Sequence, residues 1–337
     1  MKLSEIRSII EKYSPDQLRL IITQLYKAVP KAIKEENDID SILKDPDSLT
    51  QSKSRNRRKE LPDIELLQEE TERFIENAYN QNYFIPNRFV SKRDRPKWRF
   101  IAKRLYKDVL AIAGETENLP LAAQLLEDLY QLLCHSCHYT LFNAYDPFQS
   151  VGIEQEEFFR RVLALKFQIE DIDTVVKNAL LTLINNPLNR YTLHEGLMDV
   201  ILEFLKTPDL REKGISKCNE ILEALKREPA PKDADYNYTY KYEKQEKLNN
   251  LTEMGFLCYA QLYEYDKAIS FYKKNYAEDD SEIALYILLR LLFSLKQKDY
   301  FLQEYEKALA NGITPRQSLK KMYRSIKASG KLPEYFD

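Results

Sequence analysis

Apolar residues recur at helical spacing along almost the whole chain. Leu3, Ile6, Ile10 and Tyr13 make one short stripe and Leu18, Ile21, Leu25 and Val29 a second, predicting helices over 3–13 and 15–28. Ile39 to Leu43 reads as a smaller helical piece. Ile64, Leu67, Phe74 and Ala78 predict a long helix over 63–83, and Pro96 opens another that runs to Ala113. From Pro120 to Ala144 the pattern loses its polar face. Leu125, Leu129 and Leu132 lie on one side and Leu126, Leu133 and Cys137 about 100° round, as in a helix buried at a centre. Between Ile153 and Arg227 long helices alternate with short breaks at Asp171, Pro187 and Pro208. Ser14 to Gln17, Thr192 to Glu195 and Thr314 to Gln317 each read as a capping box, a hydroxyl followed three residues on by Gln or Glu.

A longer period lies over the last part of the chain. Leu251, Met254 and Cys258 return 34 positions later as Leu285, Leu288 and Leu292, and Ala268 and Tyr272 return 33 positions later as Phe301 and Tyr305. A period of this length predicts stacked helical hairpins, none of which buries its apolar face alone. Leu251-x-x-Met254-Gly255 followed by Ala268-x-x-x-Tyr272 resembles a tetratricopeptide repeat, with Leu289 standing in the second copy where Gly255 stands in the first. Leu285 to Leu295, Tyr305, Gly312-Ile313-Thr314-Pro315, Leu319, Tyr323 and Ile326 are similar to the tetratricopeptide-like bacterial transcriptional activator domain, over about residues 255–327. The resemblance implies an all-α, right-handed solenoid of helical hairpins, with a less regular helical part before it. It also implies a concave surface on the inner helices, where Tyr259, Tyr263, Tyr286 and Arg290 are the expected partner-binding residues. In that family the module mediates assembly beside a DNA-binding domain.

The expected organisation is a helical unit over 1–44, a basic polar linker over 45–61, stacked hairpins over 62–228 and the repeats over 245–329. Pro229-Ala230-Pro231 and the alternating Tyr236, Tyr238, Tyr240 and Tyr242 mark the last boundary. Alternation suits an extended stretch; a helix start whose rings cover the next hairpin is the competing reading and the one preferred here.

Composition narrows the function classes. Only 7 of 337 residues are Gly, which argues against phosphate loops and dinucleotide folds. The formal net charge of −2 conceals a basic first third and an acidic remainder. Four cysteines are too sparse for a disulfide framework, the N-terminal residues lack a signal-peptide core, and the uncharged run Leu129 to Tyr145 is too polar to span a membrane. A cytoplasmic protein without membrane contact is expected.

Two strings could carry chemistry. Cys134-His135-Ser136-Cys137-His138 contains the haem-attachment spacing, and Cys134, Cys137 and His138 share a helix face that could meet zinc. Haem attachment requires export, and zinc a fourth ligand that no second Cys/His pair supplies, so structural packing is the reading taken and no cofactor is expected. Arg88 to Lys107 holds nine basic residues against the single acid Asp94. Arg93, Arg95, Arg99, Lys103 and Lys107 are the phosphate contacts it could offer. The plainer reading is a solvated face, or one paired with the acidic remainder. No nucleophile has a legible partner, so no enzyme is expected. The expected function is a scaffold or adaptor for another protein or peptide segment; the alternative is a nucleic-acid-associated regulator using 88–107. The oligomeric state is not legible.

Overall fold

In the computed structural model, which describes residues 9–30, 33–34, 39–44, 61–229 and 234–336, with the backbone alone at 41–42 and 234–239, the regular elements are all helical. No strand, and no helix long and apolar enough to cross a membrane, occurs among the described residues. The chain divides into two units, Met1–Leu61 and Pro62–Asp337.

In the first unit, α1 (Pro15–Ala28) starts at the predicted capping box. The Ser14 hydroxyl accepts from the Gln17 N–H at 3.3 Å and the Gln17 side chain accepts from the Ser14 N–H at 2.9 Å. No residue of α1 is buried. A short α2 (Ile39–Lys44) follows, and the Tyr26 hydroxyl donates to Asp40 at 2.7 Å. The helix expected over 3–13 is described only from residue 9, and the basic linker expected over 45–61 lies outside the described residues up to its last position.

The second unit opens with α3 (Ile64–Tyr79), α4 (Trp98–Ile112) and α5 (Leu119–His138), each packed on the other two. Leu125, Leu126, Leu129, Leu132 and Leu133 of α5 are all buried, as its two-sided apolar pattern predicts. α3 stops short of the predicted end because Gln81 takes a positive φ of 56°. α5 stops at His138, where Tyr139 turns to extended backbone. A short helix, α6 (Pro147–Val151), was not among the predicted elements, although Asp146 caps it and Pro147 opens it.

Then come α7 (Gln155–Ile169), α8 (Ile172–Asn185), α9 (His194–Phe204), α10 (Pro208–Arg227) and α11 (Ala234–Gln261). Asp171 caps α8 through the Thr174 N–H at 3.0 Å, and Pro208 is the first residue of α10. Helices two apart in this order lie side by side: α7 with α9, α8 with α10, α9 with α11. Arg160 of α7 bonds Glu203 of α9 at 2.7 Å, and Lys177 of α8 bonds Glu220 of α10 at 2.6 Å.

α11 runs unbroken through the tyrosine-rich segment, so the backbone there is helical. Its Leu248, Leu251, Met254 and Cys258 belong to a core that begins at Leu67. Its Phe256 and Ala260 belong to a second core shared with α12 (Tyr265–Asn275), α13 (Ser281–Ser294), α14 (Lys298–Ala310) and α15 (Gln317–Ser329). The boundary expected near 229–244 therefore leads into a helix that serves both cores. Gly255 lets α11 and α12 close up, since a Cβ there would lie 2.4 Å from Cε1 of Phe271.

Two of the three predicted capping boxes do not form. α9 begins at His194 after Leu193, and the Thr192 hydroxyl donates instead to Glu156 at 2.9 Å. α15 begins at Gln317, because Arg316 is held by Glu282 of α13: its backbone N–H at 2.9 Å and its guanidinium at 2.6 Å. In both cases a partner from another element overrides the local signal. Beyond α15 the chain folds back, and the Phe336 ring packs on Tyr286 at 5.2 Å and Phe293 at 5.3 Å.

Candidate functional site

The connection from α3 to α4 is long and built around Asn87. Its side-chain amide donates to the carbonyls of Asn82 and Ile85, both at 2.7 Å, and its oxygen accepts from the N–H groups of Phe89 and Val90. Asn serves here because one short side chain both donates to and accepts from nearby backbone. Arg95 completes the loop by donating to the carbonyls of Val90 at 3.2 Å and Asn87 at 3.3 Å. With its polar groups so engaged, the loop turns Phe84, Ile85 and Phe89 outward.

A second long connection adjoins it, and a third adjoins the second. Gln81 donates to the Thr140 carbonyl at 3.2 Å, and Phe142 stacks on Trp98 with ring centroids 4.0 Å apart, fixing 139–146 beside the first loop. Residues 186–193 are tied down by the buried Gln155, whose amide donates to the Pro187 carbonyl at 3.0 Å and accepts from the Asn189 N–H at 2.8 Å. Asn189 in turn accepts from the N–H groups of Tyr191 and Thr192, both at 2.8 Å. The Arg190 guanidinium lies 3.3 Å from the Tyr145 ring centroid, joining the second and third loops. A hollow of ≈480 Å³ opens here, lined by Phe148, Gln149, Glu154, Glu156, Tyr191 and Thr192 among others.

Large apolar side chains crowd this edge. Tyr145 is 69% exposed, Tyr191 70% and Leu193 65%. Burying such groups is favourable at roughly 25 cal/mol per Å² of apolar area, and a contiguous set marks an interaction surface. At the opposite ends of the helices, α7 joins α8 and α9 joins α10 through connections of two and three residues.

The basic residues expected to meet phosphate separate into two groups. Arg95 is spent on the loop's own carbonyls, as described. Lys97 pairs with Asp94 at 2.7 Å, and Arg104 with Glu70 at 2.8 Å and Asp108 at 3.3 Å. Among the described residues Arg93, Arg99, Lys103 and Lys107 have no ion-pair partner, nor do Arg88 and Lys92; all are exposed except the half-buried Lys103. The interleaved rings of Phe89 and Phe100 gave no periodic signal in the sequence.

The residues expected on a concave surface differ in their surroundings. Tyr263 is 84% exposed, whereas Tyr259 is half-buried against Phe271 at 5.6 Å. Tyr286 is covered by Phe336 and by Arg316, whose guanidinium lies 4.0 Å from its ring centroid. Arg290 bonds Glu195 at 2.8 Å and stands 3.8 Å from the buried Glu253.

Cys134 is buried and accepts from the Gln155 amide at 3.3 Å. The Cys137 thiol donates to the Leu133 carbonyl at 3.3 Å, and burial pushes it up to about 12. His138 is exposed beside them. No group of three or more His, Cys, Asp or Glu among the described residues is placed to hold a metal ion.

Comparison of the chain with known protein families, curated proteins and solved structures finds no match in any of the three.

Proposed function

We propose that the second unit is a right-handed stack of tetratricopeptide-like helical hairpins and that it works as a cytoplasmic scaffold, docking a protein partner on the edge made by loops 139–146 and 186–193. The side-by-side packing of alternate helices supports the stack. Its ion-pair rungs join residues 43 apart, in Arg160–Glu203 and Lys177–Glu220, and 34 apart in Arg316–Glu282, as translation from one hairpin to the next requires. In such stacks the longer connections collect on one edge, often the binding face.

The observation that carries the docking role is the exposure of Tyr145, Tyr191 and Leu193 on loops tied down by hydrogen bonds and a guanidinium–ring contact. Tyrosine and arginine dominate the centres of protein interfaces, and preorganised loops reduce the entropy lost on binding. The hollow beside Tyr191, between the 186–193 loop and residues 148–156, leaves room for side chains of a partner. The test is affinity purification of wild type beside a Tyr191→Asp, Leu193→Glu variant and a Tyr263→Ala variant. A stoichiometric partner lost from the first variant and kept by the second is expected. Equal recovery with all three chains would move the docking surface elsewhere.

A further inference from the structure

The surface from Phe84 to Phe100 carries a second binding chemistry that the scaffold reading leaves unused. Phe89 is 68% exposed and Phe100 62%, with Phe84 and Ile85 also exposed. Each of the two most exposed rings has its own guanidinium: Arg88 lies 5.3 Å from the Phe89 centroid and Arg99 4.9 Å from that of Phe100. Arg95, five residues before Phe100, donates to the carbonyl beside Phe89 and so holds the two ring-bearing segments together. Lys92 and Arg93, between them in the sequence, have no ion-pair partner among the described residues. The only acid of the segment, Asp94, is already taken by the Ser91 hydroxyl at 2.6 Å and Lys97 at 2.7 Å. The patch is therefore cationic and aromatic, on a loop braced by its own hydrogen bonds.

We propose that this patch binds a short run of single-stranded nucleic acid, with bases stacking on the Phe89 and Phe100 rings and phosphates meeting Arg88, Lys92, Arg93 and Arg99. Rings with an open face accept any base, and cations spaced between them follow the backbone. Three features favour this occupant. The rings stand out from the surface as platforms, whereas a peptide's apolar anchor needs a walled hollow. An anionic bilayer would have to draw the guanidinium over each ring below the headgroups, where burial of charge is costly. Duplex nucleic acid keeps its bases stacked internally and offers these rings nothing. The proposal concerns residues separate from those of the docking edge, so either reading can fail without the other.

Fluorescence anisotropy with labelled U20 and dT20 at 20 and 150 mM salt tests it, using the full chain. Wild type is expected to bind both saturably at 20 mM salt and to weaken at 150 mM salt, with a 20-base-pair duplex held at least about tenfold more weakly. Phe89→Ala with Phe100→Ala, which leaves every charge in place, should weaken U20 binding by about tenfold or more. Arg88→Glu with Arg93→Glu should abolish it. All four side chains are exposed, and circular dichroism checks that the variants fold. Absence of saturable binding overturns the proposal. So does an unchanged affinity after removal of both rings, which would leave plain polyanion attraction, or tighter retention by phosphatidylserine vesicles or polyglutamate than by U20.

Discussion

Glu253 shows how one buried side chain sets a pH dependence. It is 7% exposed on α11, and burial pushes its carboxyl up to about 7, with Glu195 adding to the rise while Arg290 and the Tyr276 hydroxyl oppose it. The folded chain therefore holds a proton that the unfolded chain has released above about 4.5. The stability this contributes is full below that pH and is lost as pH rises towards 7, amounting to a few kcal/mol at most, on the order of 1.4 kcal/mol per unit of difference. Glu253→Gln keeps the shape and removes the charge. Thermal melts should show it stabilising the protein at pH 8 and changing little at pH 5; an equal shift at both would contradict the assignment. Sequence pattern placed this residue only on a helix. Its protonation depends on Arg290 and Glu195, which arrive from two other helices and leave no local trace.

At the scale of elements, the apolar recurrence was the reliable guide. Leu251, Met254, Cys258, Leu285, Leu288 and Leu292 are all buried, as are Ala268, Tyr272, Phe301 and Tyr305. Gly255 was legible as a small residue at a close helix contact, and its fit against Phe271 bears directly on stability. Gly255→Ala gains about 1 kcal/mol of helix propensity but overpacks the α11–α12 contact by about 1–3 kcal/mol, so a net loss is expected in urea denaturation. In a Phe271→Leu background the same change should be better tolerated; a cycle showing no coupling would remove Phe271 as the cause. What the pattern misplaced were helix starts and loops. Thr192 and Thr314 fit the capping rule, yet Glu156 and Glu282, distant in sequence, decide those starts. The loop around Asn87 is held by side-chain bonds to its own backbone, which have no period to detect.

At the scale of the second unit, two cores meet on the paired helices α11 and α12. Leu251 and Cys258 of α11 face the larger core and Phe256 and Ala260 the smaller, so α11 and α12 cannot be lost without exposing both. α14 and α15 contribute to the smaller core alone. Native-state hydrogen exchange should therefore find amides of α14 and α15 opening at lower free energy than those of α5, with α11 between or level with α5. Uniform protection across these helices would mean that the cores melt as one. Under a mechanical load the same arrangement acts as a stop. Tension applied from the C-terminal side is expected first to peel Phe336 from Tyr286 and Phe293, then to strip α15, α14 and α13, which belong to the smaller core alone, at low force. At α12, whose Phe271 lies in the larger core and whose Ala268 and Tyr272 lie in the smaller, the next step must tear both cores together, so extension is expected to pause there until the force rises, and the loops before α11 stay folded while the end of the chain is drawn out.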